Sequence, residues 1–71
     1  MKTDRVKLRE NVLRQWIIVQ VGKEDLAWSA SRWVPLNQEG LAAGDFKPLN
    51  FVTEQGAASY AEAQGFQITE R

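Results

Sequence analysis

The chain contains no cysteine and no histidine, two prolines and one methionine, and its nine basic and nine acidic residues leave no net charge. Without cysteine there are no disulfides, no thiolate metal sites and no redox motifs. Without histidine the commonest general base and the commonest neutral metal ligand are gone as well. At 71 residues, near the lower limit for one uncross-linked core, stability must come from packing or from a partner. Long apolar runs are also missing: the longest, Trp16 to Val19, is far too short to span a bilayer. Met1 to Arg14 is charged throughout and has no signal-peptide pattern. The expectation is a single cytoplasmic domain covering 1–71.

Aromatic residues are present in useful number, three Trp, three Phe and one Tyr. A buried aromatic covers roughly 150–250 Å², so these side chains are the expected source of the core. The charge, balanced over the whole chain, is unevenly placed. Residues 1–14 carry Lys2, Arg5, Lys7, Arg9 and Arg14 against Asp4 and Glu10, whereas the remainder carries four basic and seven acidic residues. Residues 1–14 therefore read as a basic N-terminal arm, able to meet nucleic acid or an acidic protein surface. Its local structure stays open, because "VKLRE" suits an edge strand and "RENVLRQ" a helical turn.

Gln15 to Val21, "QWIIVQV", is β-branched and apolar on both alternating faces, the pattern of a central strand. Gly22 to Asp25 interrupts it, and Leu26 to Val34 resumes as the second arm of an antiparallel hairpin. Trp28 and Trp33 are five apart, so a regular strand sends them to opposite faces unless a bulge near Ser31 intervenes. Pro35 and Pro48 bracket an aperiodic loop, and Leu49 to Val52 reads as a brief third strand.

The clearest local code follows, in "TEQGAASYAEAQGF". Thr53 is an N-cap, Val52 and Ala57 occupy the positions of a hydrophobic staple, and Glu54 suits the positive end of the helix dipole. Gly65 fits a left-handed C′ position, with Phe66 folding back in a Schellman arrangement. The predicted helix runs over 54–64, with Ala57, Tyr60, Ala61 and Gln64 facing inward. "FQIT" is then the last strand, able to lie parallel to the third. The fold class is α+β: a small mixed or antiparallel four-stranded sheet, in the order β-β-β-α-β, with one helix on one face.

Catalysis finds no support. The carboxylates fall in a turn, a loop and around the helix, without neighbours that would desolvate them for acid–base work. The glycines lack phosphate-loop or dinucleotide spacing, and Ser29 and Ser31 have no base beside them. No enzyme, cofactor or metal site is expected. Trp28, Arg32 and Trp33 would serve either as anchors of a protein interface or as a stacking platform for single-stranded nucleic acid.

Trp16, Trp28-Ser29-Ala30-Ser31, and Phe51-Val52-Thr53 followed by Ala57, Tyr60-Ala61-Glu62 and Gly65 carry a family likeness. Over Trp16 to about Ile68 the chain resembles the small accessory subunit of respiratory complex I, the NADH:ubiquinone oxidoreductase "ETC complex I subunit" family. The resemblance implies a non-catalytic role without cofactor: docking at a junction of the peripheral arm of a membrane-bound complex and stabilising its assembly.

A single short helix covers one sheet face and leaves the other for a partner. Trp33, flanked by Ser29 and Ser31, is assigned to that open face, and Trp16 and Trp28 to the core. The expected partner surface is Arg32, Trp33 and the loop from Leu36 to Lys47, with Leu36, Leu41 and Phe46 as its apolar contacts. A protein partner is preferred, with a nucleic-acid-binding module as the alternative.

Overall fold

Alternation settles the segment that the linear pattern leaves open. In a computed structural model, which describes residues 5–70, Arg5–Glu10 is strand β1. Val6 is fully buried beneath the helix and Leu8 packs beside it, while Lys7 and Arg9 alternate with them. The chain continues through β2 (Trp16–Gln20), β3 (Lys23–Trp28), β4 (Trp33–Pro35), α1 (Glu54–Ala63) and β5 (Gln67–Glu70). The strand order is β4-β3-β2-β1-β5. Neighbours are antiparallel except β1 and β5, which run parallel. The fold is thus α+β, a five-stranded mixed sheet with one helix packed on it.

Several expectations change in detail. Arg5–Glu10 is no arm, because β1 is hydrogen-bonded to β2 on one side and β5 on the other; residues 1–4 lie outside the described residues. The β2–β3 connection tightens to Val21 and Gly22, with Gln20 opposite Lys23 and a register irregularity that absorbs the rest of "GKED". The predicted strand over 26–34 is two strands. Ser29 donates to the Arg32 carbonyl from both its backbone N–H and its hydroxyl, each at 2.9 Å. Ala30 takes a positive φ of 84°, and the chain doubles back there. Trp28 and Trp33 become directly opposed cross-strand partners, on the same face with no bulge required. The predicted third strand at 49–52 shrinks to one bridge, Phe51 with Trp16, closed by two backbone hydrogen bonds of 2.7 and 2.8 Å. With no third strand there to pair with, the last strand finds β1 instead.

The helix code holds almost residue for residue. Thr53 is extended and its Oγ1 accepts from the Gly56 N–H at 3.0 Å, a cap worth about 1 kcal/mol. A Cβ on Gly56 would sit 3.2 Å from that oxygen, so the residue that weakens the helix by propensity gives the cap room. Gly65 has a φ of +85°. The Phe66 N–H reaches the Ala61 carbonyl and the Gly65 N–H the Glu62 carbonyl, each at 3.0 Å, which is the Schellman pair. Two readings are corrected. Val52 is 89% exposed and staples nothing; Phe51, one residue earlier and tied to Trp16, packs against Tyr60 at 5.4 Å instead. Gln64 is exposed, while Ala58 joins Ala57 and Ala61 in the buried stripe.

Both faces of the sheet are covered. On the helix side Val6, Ile18, Ala57 and Ala61 form the centre, ringed by half-buried aromatics. Trp33 belongs to this side, not to an open one: it lies 5.2 Å from Trp28 and 5.9 Å from Phe66. Such ring pairs contribute roughly 0.5–1.5 kcal/mol each beyond their area. The opposite face buries Ile17, Val19, Ala27 and Leu36. Arg9 lies across it, donating to the carbonyls of Gln38 and Glu24 at 3.1 and 3.5 Å, and Lys7 meets Glu24 at 3.7 Å. The face expected to stand open is closed by the chain's own loop and these stems.

Candidate functional site

Two turns with the same hydrogen-bond plan meet at one end of the sheet. In the β1–β2 turn the Asn11 Oδ1 accepts from the N–H groups of Leu13 and Gln15 at 2.9 and 3.0 Å. Asn11 N–H donates to Gln15 O, and Arg14 N–H returns to Asn11 O. In the loop after β4 the Asn37 Oδ1 accepts from Glu39 and Leu41 at 2.9 and 3.1 Å. Asn37 N–H donates to Leu41 O, and Gly40 N–H returns to Asn37 O. Each is a three-residue hairpin loop whose last residue is left-handed, Arg14 at φ 64° and Gly40 at φ 79°. The second closes a miniature hairpin through the Leu36–Ala42 bridge, so the segment between the prolines is built, not structureless.

The turns are joined by a 3.0 Å hydrogen bond from Val12 N–H to Glu39 O. Gly40 lies so close to the first turn that an added Cβ would stand 2.8 Å from the Asn11 Cβ. Asn11 is 6% exposed, and its Nδ2 has no hydrogen-bond partner among the described residues.

These contacts lift apolar side chains into solvent. Val12 and Leu13 are 57% and 60% exposed. Leu13 faces Leu41, Ala42 and Pro48 across a groove of about 240 Å³, completed by Gln15, Lys47 and Asn50. Next along the chain from Lys47, Phe46 is 56% exposed and carries the Arg32 guanidinium 4.5 Å above its ring. An exposed cation–π contact of this kind contributes roughly 0.5–1 kcal/mol. It ties the loop to the β3–β4 turn, as does the Leu49 N–H bond to the Trp28 carbonyl at 3.0 Å.

The five residues assigned to a partner surface therefore separate. Arg32 and Phe46 are exposed and touch each other, and Leu41 lines the groove, half-buried. Trp33 is held in an aromatic cluster with Trp28 and Phe66 on the helix side of the sheet. Leu36 is buried against Ile17, Val19 and Ala27, because the miniature hairpin folds it under the sheet. Lys47, at the end of the expected loop, lines the groove as well, whereas Val12, Leu13 and Pro48 were not among the expected residues. The usable signal was the pair Asn11 and Asn37, each opening a turn, with Gly40 at the left-handed position of the second.

Among the described residues no group of three or more Asp or Glu side chains is placed to hold a metal ion, and no helix is long and apolar enough to cross a membrane. No family model, curated protein or solved structure matches the chain.

Proposed function

We propose that this chain is a non-catalytic protein-interaction module that contacts its partner through the end of the sheet where the two asparagine turns meet. The observation that carries this reading is the concentration of exposed apolar side chains there. Val12, Leu13 and Phe46 are each more than half exposed, the first two on the Asn11 turn and Phe46 beside the groove-lining Lys47 and against Arg32. Single exposed apolar residues are ordinary on any surface; several on neighbouring turns and loops, with Leu13 among them lining a groove, mark an interaction site. Following the resemblance of Trp16 to Ile68, the partner is proposed to be a larger assembly of the respiratory type, an NADH:quinone oxidoreductase, and the chain an accessory component of it.

The double variant Leu13→Asp, Phe46→Asp tests this. Both side chains are exposed, so the variant is expected to keep the native circular dichroism and to lose no more stability than the roughly 0.5–1 kcal/mol of the Arg32–Phe46 contact. Affinity purification from the native host should yield a stoichiometric protein partner with the unaltered chain and lose it with the variant. An unchanged set of co-purifying proteins would reject the surface, and a partner unrelated to quinone reduction would reject the respiratory assignment.

The nucleic-acid reading draws less support. Arg5, Lys7 and Arg9 belong to β1, where Lys7 faces Glu24 and Arg9 is spent on backbone carbonyls. A salt titration separates the readings, because phosphate neutralisation makes affinity fall steeply with ionic strength and an apolar contact does not.

A further inference from the structure

The groove between the turns has a chemistry narrower than that of a general apolar patch. At about 240 Å³ it lies below the roughly 300–1,000 Å³ of small-molecule and cofactor sites. That size suits an anchoring side chain of a protein partner. Leu13, Leu41, Ala42 and Pro48 provide apolar walls. Among the described residues Lys47 is the one ionisable side chain lining the groove, and no carboxylate of theirs lines it. The side chains of Lys47, Gln15 and Asn50 make no hydrogen bond or ion pair among the described residues. The groove thus offers a cation and two amides, all uncommitted, beside an apolar recess.

We infer that the groove is a socket for a bulky apolar side chain followed by a carboxylate, presented by an extended peptide segment of the partner. This rests on the interaction-module reading and names the chemistry of that partner. The apolar side chain displaces water from between Leu13 and Leu41, and the carboxylate meets Lys47 at the rim. Partial desolvation by the walls strengthens that charge contact relative to one in open water. The backbone that carries the walls is set in advance: the N–H groups of Leu13 and Gln15 are held by Asn11, and that of Leu41 by Asn37. The backbone ordering that would oppose binding is therefore already in place.

The test uses the full chain, isotope-labelled, followed by amide chemical shifts. The probes are capped hexapeptides: Ser-Gly-Leu-Glu-Gly-Ser, a version with Lys in place of Glu, and a version with Ala in place of Leu. Shifts confined to Leu13, Gln15, Leu41 and Asn50, with binding of the Leu-Glu peptide about tenfold tighter than of either counterpart, support the socket. Lys47→Glu, at an exposed position, keeps the thermal midpoint and reverses the preference toward the lysine peptide. Absence of shifts, shifts elsewhere, or a preference unmoved by Lys47→Glu would overturn the inference. So would equal shifts at the same residues with an oligothymidylate, which would assign the cation to phosphate. If the socket fails while the partner still co-purifies through Leu13 and Phe46, the interaction reading stands without it.

Discussion

The turns at Asn11 and Asn37 share one hydrogen-bond plan and differ in where they sit. Asn11 is almost wholly buried, with a second turn pressed against it, whereas Asn37 is exposed. Their left-handed positions differ too: Gly40 adopts positive φ without steric cost, while Arg14 does so with a side chain attached. The same local code is therefore strained in the turn whose asparagine is buried and relaxed in the turn whose asparagine is exposed. A turn can be dictated by its own residues and yet be held in place by what packs on it.

The largest test of this contrast is Gly40→Ala. A left-handed conformation costs a residue with a Cβ roughly 1–2 kcal/mol, and here the Cβ would also meet the Asn11 Cβ at 2.8 Å and its Cα at 3.2 Å. A loss of roughly 3 kcal/mol is expected, a large part of what a domain of this size holds. Urea unfolding followed by tryptophan fluorescence would measure it. A loss below about 1 kcal/mol would mean that the turns are not locked together.

Next in size is the paired comparison of Asn11→Ala with Asn37→Ala. Each removes one oxygen that serves two backbone N–H groups, part-buried in the first turn and exposed in the second. Water replaces the lost acceptor only where it can reach. Asn11→Ala is expected to cost about 2 kcal/mol, moderated because its unpaired Nδ2 leaves with it, and Asn37→Ala about 0.5–1 kcal/mol. Equal costs would show that burial does not distinguish the turns.

The smallest effect has the opposite sign. Arg14→Gly relieves roughly 1–2 kcal/mol of left-handed strain, offset by the roughly 0.5–1 kcal/mol that glycine costs through unfolded-state entropy. A net gain near 0.5 kcal/mol would raise the thermal midpoint by roughly 2–4 °C. A fall in the midpoint would show that the Arg14 side chain contributes contacts beyond its backbone.

Much of the fold was legible because its information is local. The helix from Thr53 to Gly65 needs a cap, a stripe of small residues and a left-handed stop, all within one stretch of sequence. The central strand is likewise announced by "WIIVQ", apolar on both faces. The candidate site was legible only in part. Arg32, Leu41 and Phe46 could be singled out as exposed chemistry in a turn and a loop, but Leu13 lies far from them along the chain and enters through the meeting of two turns.

By itself the sequence determined the α+β class, the helix with both its ends, the dominant strand and the absence of any thiol or imidazole chemistry, since propensity, capping and composition act over a few residues. The tertiary structure decided that β1 is an inner strand, that β5 pairs with it in parallel, that Trp33 packs onto Trp28 and Phe66 on the helix side and that Leu36 closes the far face. Those outcomes depend on which distant segments bury one another's apolar surface. "VKLRE", with two apolar residues, and "LAWSASRWV", with two Trp five apart, each fit more than one local conformation until long-range packing selects among them.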